Sequence, residues 1–261
     1  MKHSLALFVL IASSLAFGPV AVRAGEDVPK VAAASDLQFA LSETAARFTE
    51  QTGKRVSLSF GSSGNFFRQI QEGAPFEGYL SADEQYVFDL AKKGWTLDEG
   101  VLYAEGRIAI IVPPGSPLKA DGSFADLVAN LDAGTVRKFA IANPDHAPYG
   151  RAARDALVRA GLWDRIRDQL VLGENVSQAA QFATSGSTDG GIIAYSLALA
   201  PKVSQLGEVA LIAADQHDPL RQRMVLTRKA GQTAREFYAY LQSKAAQDVL
   251  KQYGFSVPEG K

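Results

Sequence analysis

Four short segments of this chain place small or hydroxyl-bearing residues where a strand pattern gives way to a helical one. They are Ala34-Ser35-Asp36, Ser62-Ser63-Gly64, Pro148-Tyr149-Gly150 and Asn175-Val176-Ser177. The chemistry open to them is hydrogen-bond donation. The first turn of a helix carries N–H groups without intrahelical partners, and the helix dipole adds partial positive charge there, so such ends attract anions without a formal cation. Taken singly, Ser35 and Ser63 read as ordinary N-caps, the usual meaning of a serine before a helix. Their repetition in both halves of the chain is what points further, because two groups of helix starts facing one another can surround a small anion with donors.

Other reactive side chains are isolated. His146 and His217 lie in loops with no second ligand at metal spacing, and read as surface residues. Asp83 and Glu84 form an acidic helix start and read as a cap. A serine hydrolase built on Ser35 or Ser63 would need a histidine brought in from elsewhere, and no Gly-x-Ser-x-Gly elbow frames either serine. No enzymatic activity and no catalytic residue is therefore expected. Tyr103, Tyr149 and Tyr195 are scattered rather than striped, so they offer no platform for stacking bases.

The elements that must position the four turns alternate in type. Val31 to Ala34 reads as a strand, and Leu37, Ala40, Leu41, Ala45 and Phe48 then recur at helical spacing up to Gly53. Val56, Leu58 and Phe60 alternate as a strand does, before a helix bearing Phe66, Phe67 and Ile70. Tyr79 to Ser81 gives a third strand and about Asp83 to Lys93 a third helix. Arg107 to Val112 is a buried strand stopped by Pro113-Pro114-Gly115, and the chain is expected to cross into a second lobe just before it. There the pattern repeats: a strand at Phe139 to Ala142, a helix from about Tyr149 to Ala160 started by Pro148, a strand at Val171-Leu172, a helix bearing Val176, Ala179, Ala180 and Ala183, and a strand at Ile192 to Tyr195. Val209 to Ile212 and Met224 to Thr227 are late strands, and helices carrying Phe237, Tyr238, Leu241, Val249 and Leu250 are expected to return to the first lobe. The result is an α/β chain with parallel pairing in each half, whose ligands bind beyond the carboxyl ends of the strands.

With 261 residues and 47% apolar content the chain can bury a core in each of two lobes. Its 27 basic and 28 acidic residues leave a net charge of −1 without a basic block, which argues against a nucleic-acid partner. Lys2 and His3 precede the apolar run Ser4 to Phe17, and small residues follow up to Ala24. That pattern reads as a secretory signal over residues 1–24, since a run of roughly 14 residues falls short of the ~20 that span a bilayer. Cysteine is absent, which removes disulfides, thiol chemistry and a lipid-attachment site together. A periplasmic protein, exported and not lipidated, is the expectation.

The chain resembles the periplasmic molybdate-binding proteins of ABC importers from Val31 to Phe255. The motifs that carry the likeness are Ala32-Ala33-Ala34-Ser35, Phe60-Gly61-Ser62-Ser63 with Arg68-Gln69-Ile70, and Gly73-Ala74-Pro75 leading to Leu80-Ser81-Ala82-Asp83. They continue with Asn143 to Gly150, Glu174-Asn175-Val176, Ile193-Ala194-Tyr195 and Tyr253-Gly254-Phe255. In this order they are specific, although most are weak singly.

The resemblance implies a type II periplasmic-binding-protein fold: two lobes, each a mixed, mostly parallel sheet flanked by helices, with the ligand cleft between them. Residues 25–106 and a C-terminal return over 219–261 would form the first lobe, and 107–218 the second. It also implies capture of molybdate, and of tungstate, for the permease subunits of an ABC importer, by a monomer without a cofactor. The oxyanion would be held by the hydroxyls and backbone N–H groups of Ser35 and Ser63, the backbone N–H of Tyr149 and Val176, and the phenol of Tyr195. Molybdenum would be reached only through its oxygens, so no residue is expected as a direct metal ligand. The chain departs from commoner members at Asp36, expected to face outward and favour its helix start, at Tyr149, a larger residue than in some members, and in the loop Thr184 to Gly190 before Tyr195. The rival binding assignment is another tetrahedral oxyanion. Sulfate would be separated from molybdate mainly by size, and phosphate, which carries a proton near neutral pH, would need an acceptor such as Asp36.

Overall fold

The computed structural model describes residues 28–258, so the expected signal segment lies outside the described residues. The first sheet collects β1 (Lys30–Ala34), β2 (Ser57–Gly61), β3 (Gly78–Ser81) and β4 (Val101–Gly106). The helices between these strands are α1 (Gln38–Thr52), reached through a 3₁₀ turn at Ser35–Leu37, α2 (Ser63–Gln71) and α3 (Glu84–Lys92). The second half runs β5 (Ile108–Val112), α4 (Ala125–Asp132), β6 (Phe139–Ala142), α5 (Pro148–Arg159), α6 (Trp163–Ile166), β7 (Leu170–Gly173) and α7 (Val176–Thr184). It continues with β8 (Gly191–Ala194), α8 (Tyr195–Ala198), α9 (Pro201–Ser204) and β9 (Glu208–Leu211). The chain then returns through β10 (Leu220–Leu226), α10 (Gln232–Leu241) and α11 (Lys244–Gln252).

These strands form two five-stranded sheets of matching design, ordered β2-β1-β3-β10-β4 and β7-β6-β8-β5-β9. In the first, β1 pairs in parallel with β2 and β3, and β10 pairs antiparallel with β3 and β4. In the second, β6 pairs in parallel with β7 and β8, and β5 antiparallel with β8 and β9. Each sheet is thus mixed and mostly parallel, with four of its five strands running the same way. The one opposed strand, β10 in the first sheet and β5 in the second, is inserted inside its sheet, which places an antiparallel pair on either side of it. Arg107 alone separates the last residue of β4 from the first of β5, and a second crossing joins β9 to β10.

Both faces of the first sheet are covered, which is why its central strands read as continuous apolar runs. Val31, Phe48, Met224, Phe237, Val249 and Leu250 share one cluster, so the C-terminal helices seal the face that α1 also covers. Phe48 and Phe237 meet edge to face at 5.2 Å. Each such buried side chain contributes roughly 1.5–3 kcal/mol. Phe66, Ile70, Val87 and Leu90 of α2 and α3 cover the opposite face. The second half has its own core around Ile110, Phe139, Leu157 and Ile193.

Four elements, β4, α4, α6 and α9, have no counterpart in the sequence reading, and Tyr195 opens a short helix instead of ending a strand. Phe124, the residue before α4, adopts a left-handed φ of 65° and offers no side-chain cap. The capping acceptor is Asp121 instead, whose carboxylate receives the N–H groups of Ser123 and Asp126.

Candidate functional site

The parallel strands direct their carboxyl ends toward one place. The 3₁₀ turn after β1, α2 after β2, α5 after β6 and α7 after β7 all begin around a small chamber. Ala34, Ser35, Asp36, Ser62 and Ser63 line it from the first sheet, and Ala147, Pro148, Tyr149 and Val176 from the second. Its cavity volume is about 10 Å³. That is far below the roughly 300–1,000 Å³ of pockets for drug-sized ligands, so the guest must be small. A wider depression, about 290 Å³ around Ile70, Phe76 and Trp95, is largely apolar and lined by the first lobe alone.

Neither candidate serine is a cap. Ser62 caps α2, accepting the Asn65 N–H at 3.3 Å, and Asn175 caps α7, accepting the Gln178 N–H at 3.1 Å. Ser63 therefore stands in the first turn of α2. Its Oγ accepts the Ala82 N–H at 3.0 Å, which leaves the hydroxyl proton to be directed elsewhere. The Ser35 Oγ accepts the Ser177 N–H at 3.3 Å and keeps its proton in the same way. The N–H groups of Ser63, Tyr149 and Val176 belong to first turns, where no intrahelical acceptor exists. Among the described residues no lysine or arginine lines the chamber.

Tyr195 is the exception among the five sequence candidates. It is not among the lining residues, and its ring edge packs beside Gly254, 2.8 Å from where a Cβ on that glycine would lie. The reason is the early end of β8: with Tyr195 already the first residue of α8, its side chain turns toward the C-terminal segment. The loop Thr184 to Gly190 lies at the other end of β8, where the Asp189 carboxylate accepts the N–H groups of Arg137 and Lys138.

Asp36 does not face outward. It is 1% exposed, and its Oδ2 accepts the Tyr149 phenol at 2.9 Å and the Gln222 Nε2 at 2.7 Å. No group reaches its buried Oδ1 in hydrogen-bonding geometry. Burial pushes the carboxyl up to about 6, and hydrogen bonds from Gln222 and Tyr149 offset only part of that cost. The tyrosine ring thus bridges the lobes, and Gly106 makes room for it, since a Cβ there would overlap the phenol oxygen. Gln222 holds the cluster from β10, also accepting the Tyr103 phenol at 2.6 Å. Sequence reasoning missed Gln222 because the expected strand begins at Met224, four residues after β10 begins. Its signal was a neutral polar residue between two arginines, at the inward position of an alternating strand.

The histidines are not surface residues either. His146 is buried, with Nδ1 2.9 Å from Ser62 Oγ and its carbonyl accepting the Gly64 N–H at 3.0 Å. His217 is buried too, its Nδ1 lies 2.7 Å from the Asp218 carbonyl, and desolvation lowers its pKa. Asp83 caps α3 and also pairs across the cleft with Arg151, whose Nη1 reaches the Tyr86 phenol at 3.1 Å. Ser177 adds a bond to the Ser35 carbonyl at 2.9 Å, and Ser196 one to the Asp36 carbonyl at 2.8 Å. These contacts hold the two lobes shut over the chamber.

A chamber of this kind, buried between two sheets and lined by donors, suits a small ligand taken up whole. The family profile of bacterial extracellular solute-binding proteins matches residues 29–256. The chain belongs to this family. This solute-binding protein is 32% identical over 235 residues to the molybdate-binding protein ModA of Rhodobacter capsulatus, covering 89% of this chain and 88% of the relative. It is also 32% identical over 260 residues to ModA of Azotobacter vinelandii, covering 98% and 100%. The solved periplasmic molybdate-binding protein of Azotobacter vinelandii superposes with a TM-score of 0.80 at 29% identity, over 88% of this chain and all of that one. The sulfate-binding protein SubI of Mycobacterium tuberculosis, at 17% identity and a TM-score of 0.69 over 89% and 87%, shares the fold. Members of this family bind solutes.

Proposed function

We propose that this solute-binding protein captures molybdate, and also tungstate, in the periplasm and delivers it to the permease of an ABC importer. The observation that carries this reading is the closed chamber lined from both lobes by neutral donors, in a chain whose relatives are molybdate-binding proteins. A dianion without protons is purely an acceptor. In a dry cleft each neutral hydrogen bond offered to it is strengthened, and no formal cation is required. The donors are the hydroxyls of Ser35 and Ser63 with the first-turn N–H groups of Ser63, Tyr149 and Val176. Residues 25–106 with 219–261 move as one lobe and 107–218 as the other, turning about Arg107 and the crossing before β10. Because the donors come from both lobes, the anion binds the closed state better than the open one and shifts the population toward it. The closed monomer is the form that docks on the permease.

A second reading, hydrogen phosphate, draws on Asp36, since a buried carboxylate could accept the ligand's proton. Competition calorimetry with molybdate, tungstate, sulfate and phosphate separates the two. The molybdate reading expects molybdate and tungstate to displace the others, and tighter binding of sulfate or phosphate would overturn it.

A further inference from the structure

We propose that Asp36 carries a proton when the chamber is loaded, so that capture of each fully deprotonated oxyanion takes up one proton from solution. The inference rests on the oxyanion reading above and concerns a residue outside the set of neutral donors.

The geometry distinguishes the two carboxyl oxygens. Oδ2 has two donors, the Tyr149 phenol and the Gln222 amide, whereas Oδ1 is buried with none. A carboxylate oxygen in that state is an acceptor without a donor, on a residue that lines a chamber suited to a ligand that is all acceptors. A proton on Oδ1 removes the conflict. It turns the one formal charge among the lining residues into a neutral donor of the same kind as the serine hydroxyls. The balance is simple: one proton from water joins Oδ1 as the lobes close, and it returns to water when they open and the anion leaves.

Burial favours the neutral form, against Gln222, Tyr149 and the nearby backbone N–H groups of Asp36 and Leu37, which favour the carboxylate. From α5 the titratable neighbour is Tyr149, and from β4 it is Tyr103. Burial holds both phenols well above their ordinary range, so they remain neutral. From β10 comes the neutral Gln222, from α8 Ser196, which donates to the Asp36 carbonyl, and from α7 Ser177, which bonds the neighbouring Ser35. No lysine, arginine or histidine is among the leading influences on the carboxyl, which burial alone pushes upward. An incoming dianion can only add to that push.

The test is titration of the secreted chain with sodium molybdate from about pH 5.5 to about pH 8.5, each point in two buffers of different ionisation enthalpy. Near pH 7.5 the expected result is uptake of about one proton per anion, with Kd weakening about tenfold per pH unit above roughly pH 6. Asp36→Asn, a permanently neutral donor, is expected to bind molybdate with no proton uptake and a Kd independent of pH. Molybdate binding by the wild type with no proton exchanged and a flat Kd would overturn this proposal and leave the oxyanion reading intact. Preference for hydrogen phosphate, lost in Asp36→Asn, would overturn it by making the carboxylate an acceptor. Absence of any heat or thermal shift with molybdate, tungstate and sulfate would instead remove the oxyanion reading itself. The proton count is made on the wild type, so a poorly folding variant does not leave the question open.

Discussion

Replacing Gly64 with alanine separates folding from closure. Gly64 is the second residue of α2, on the first lobe, and its N–H donates at 3.0 Å to the carbonyl of His146 on the second. A Cβ on Gly64 would stand 2.6 Å from that carbonyl oxygen, where ordinary contact begins at 3.4 Å. The neighbour is backbone and cannot rotate away, so the lobes must part. Overpacking of this kind costs about 1–3 kcal/mol, and a weakened hydrogen bond about 0.5–1.5 kcal/mol. Together they oppose closure by about 1.5–4.5 kcal/mol, which weakens anion binding roughly ten- to two-thousand-fold. In the open form only the Tyr86 phenol, 2.8 Å from the same Cβ, has to give way, while the alanine favours α2 by up to about 1 kcal/mol. Calorimetry with molybdate and thermal unfolding of the free protein together make the assay. The expected pair is a large loss of affinity with a melting temperature held or raised. A Kd within threefold of wild type would refute the reasoning, because it would mean that the interlobe contact at Gly64 is not part of the bound state.

Ser63→Ala removes one donor hydroxyl to a charged ligand, worth about 1.5–3 kcal/mol, so calorimetry should show affinity falling roughly ten- to a hundred-and-fifty-fold. For Asp36 the folded-state pKa of about 6 lies above the ordinary 3.8, so stability is full below 3.8 and is lost as pH rises through 6, on the order of 3 kcal/mol in all. Asp36→Asn should therefore raise the melting temperature of the free protein at pH 8, with the gain shrinking as the pH is lowered through 6 toward 4, as pH-resolved thermal scans will show. Tyr149→Phe deletes a hydrogen bond that favours the Asp36 carboxylate, so the pH midpoint of anion binding should move upward in calorimetry while the Tyr149 N–H remains. Arg151→Ala loses a partly exposed pair with Asp83 on the opposite lobe, and should weaken binding less than tenfold, with a smaller difference in high salt.

Magnitude decides why a carboxyl is tolerated in this wall. Two like unit charges about 4 Å apart repel by about 4 kcal/mol at an effective dielectric of about 20, and a dianion doubles that. Protonating a carboxyl of pKa about 6 at neutral pH costs about 1.4 kcal/mol. Protonation is the cheaper course even if the effective dielectric is twice as high.

The sequence made the alternation of strands and helices legible, and with it the four turns that meet at the chamber. Periodicity and helix-start residues are local signals, and Ser62, Asp83, Pro148 and Asn175 stand at their helix starts in the structure. Element α4 was hidden because its N-terminal donors are satisfied by Asp121, while Phe124 in the cap position carries no capping oxygen. Strand β4 was hidden because it lies at the sheet edge, pairing with β10 across a bulge between Gln222 and Arg223 and bridging only Ser256 on its other side. The directions of Asp36 and His146 were misread for a common reason. Whether such a side chain meets water or the opposite lobe depends on how the lobes close, and contacts between residues 36, 149 and 222 leave no trace in local spacing. Gln222 belongs to the same class: its burial follows from a strand that returns to the first sheet after more than a hundred residues in the second.

The central claim is that uncharged donors from both lobes converge on one anion, and a crystal structure of the molybdate-loaded protein addresses it most directly. The expected result places the oxyanion in the chamber within hydrogen-bonding distance of the Ser35 and Ser63 hydroxyls and of the first-turn N–H groups of Tyr149 and Val176. An anion held by a lysine or arginine, or touching residues of one lobe only, would contradict it.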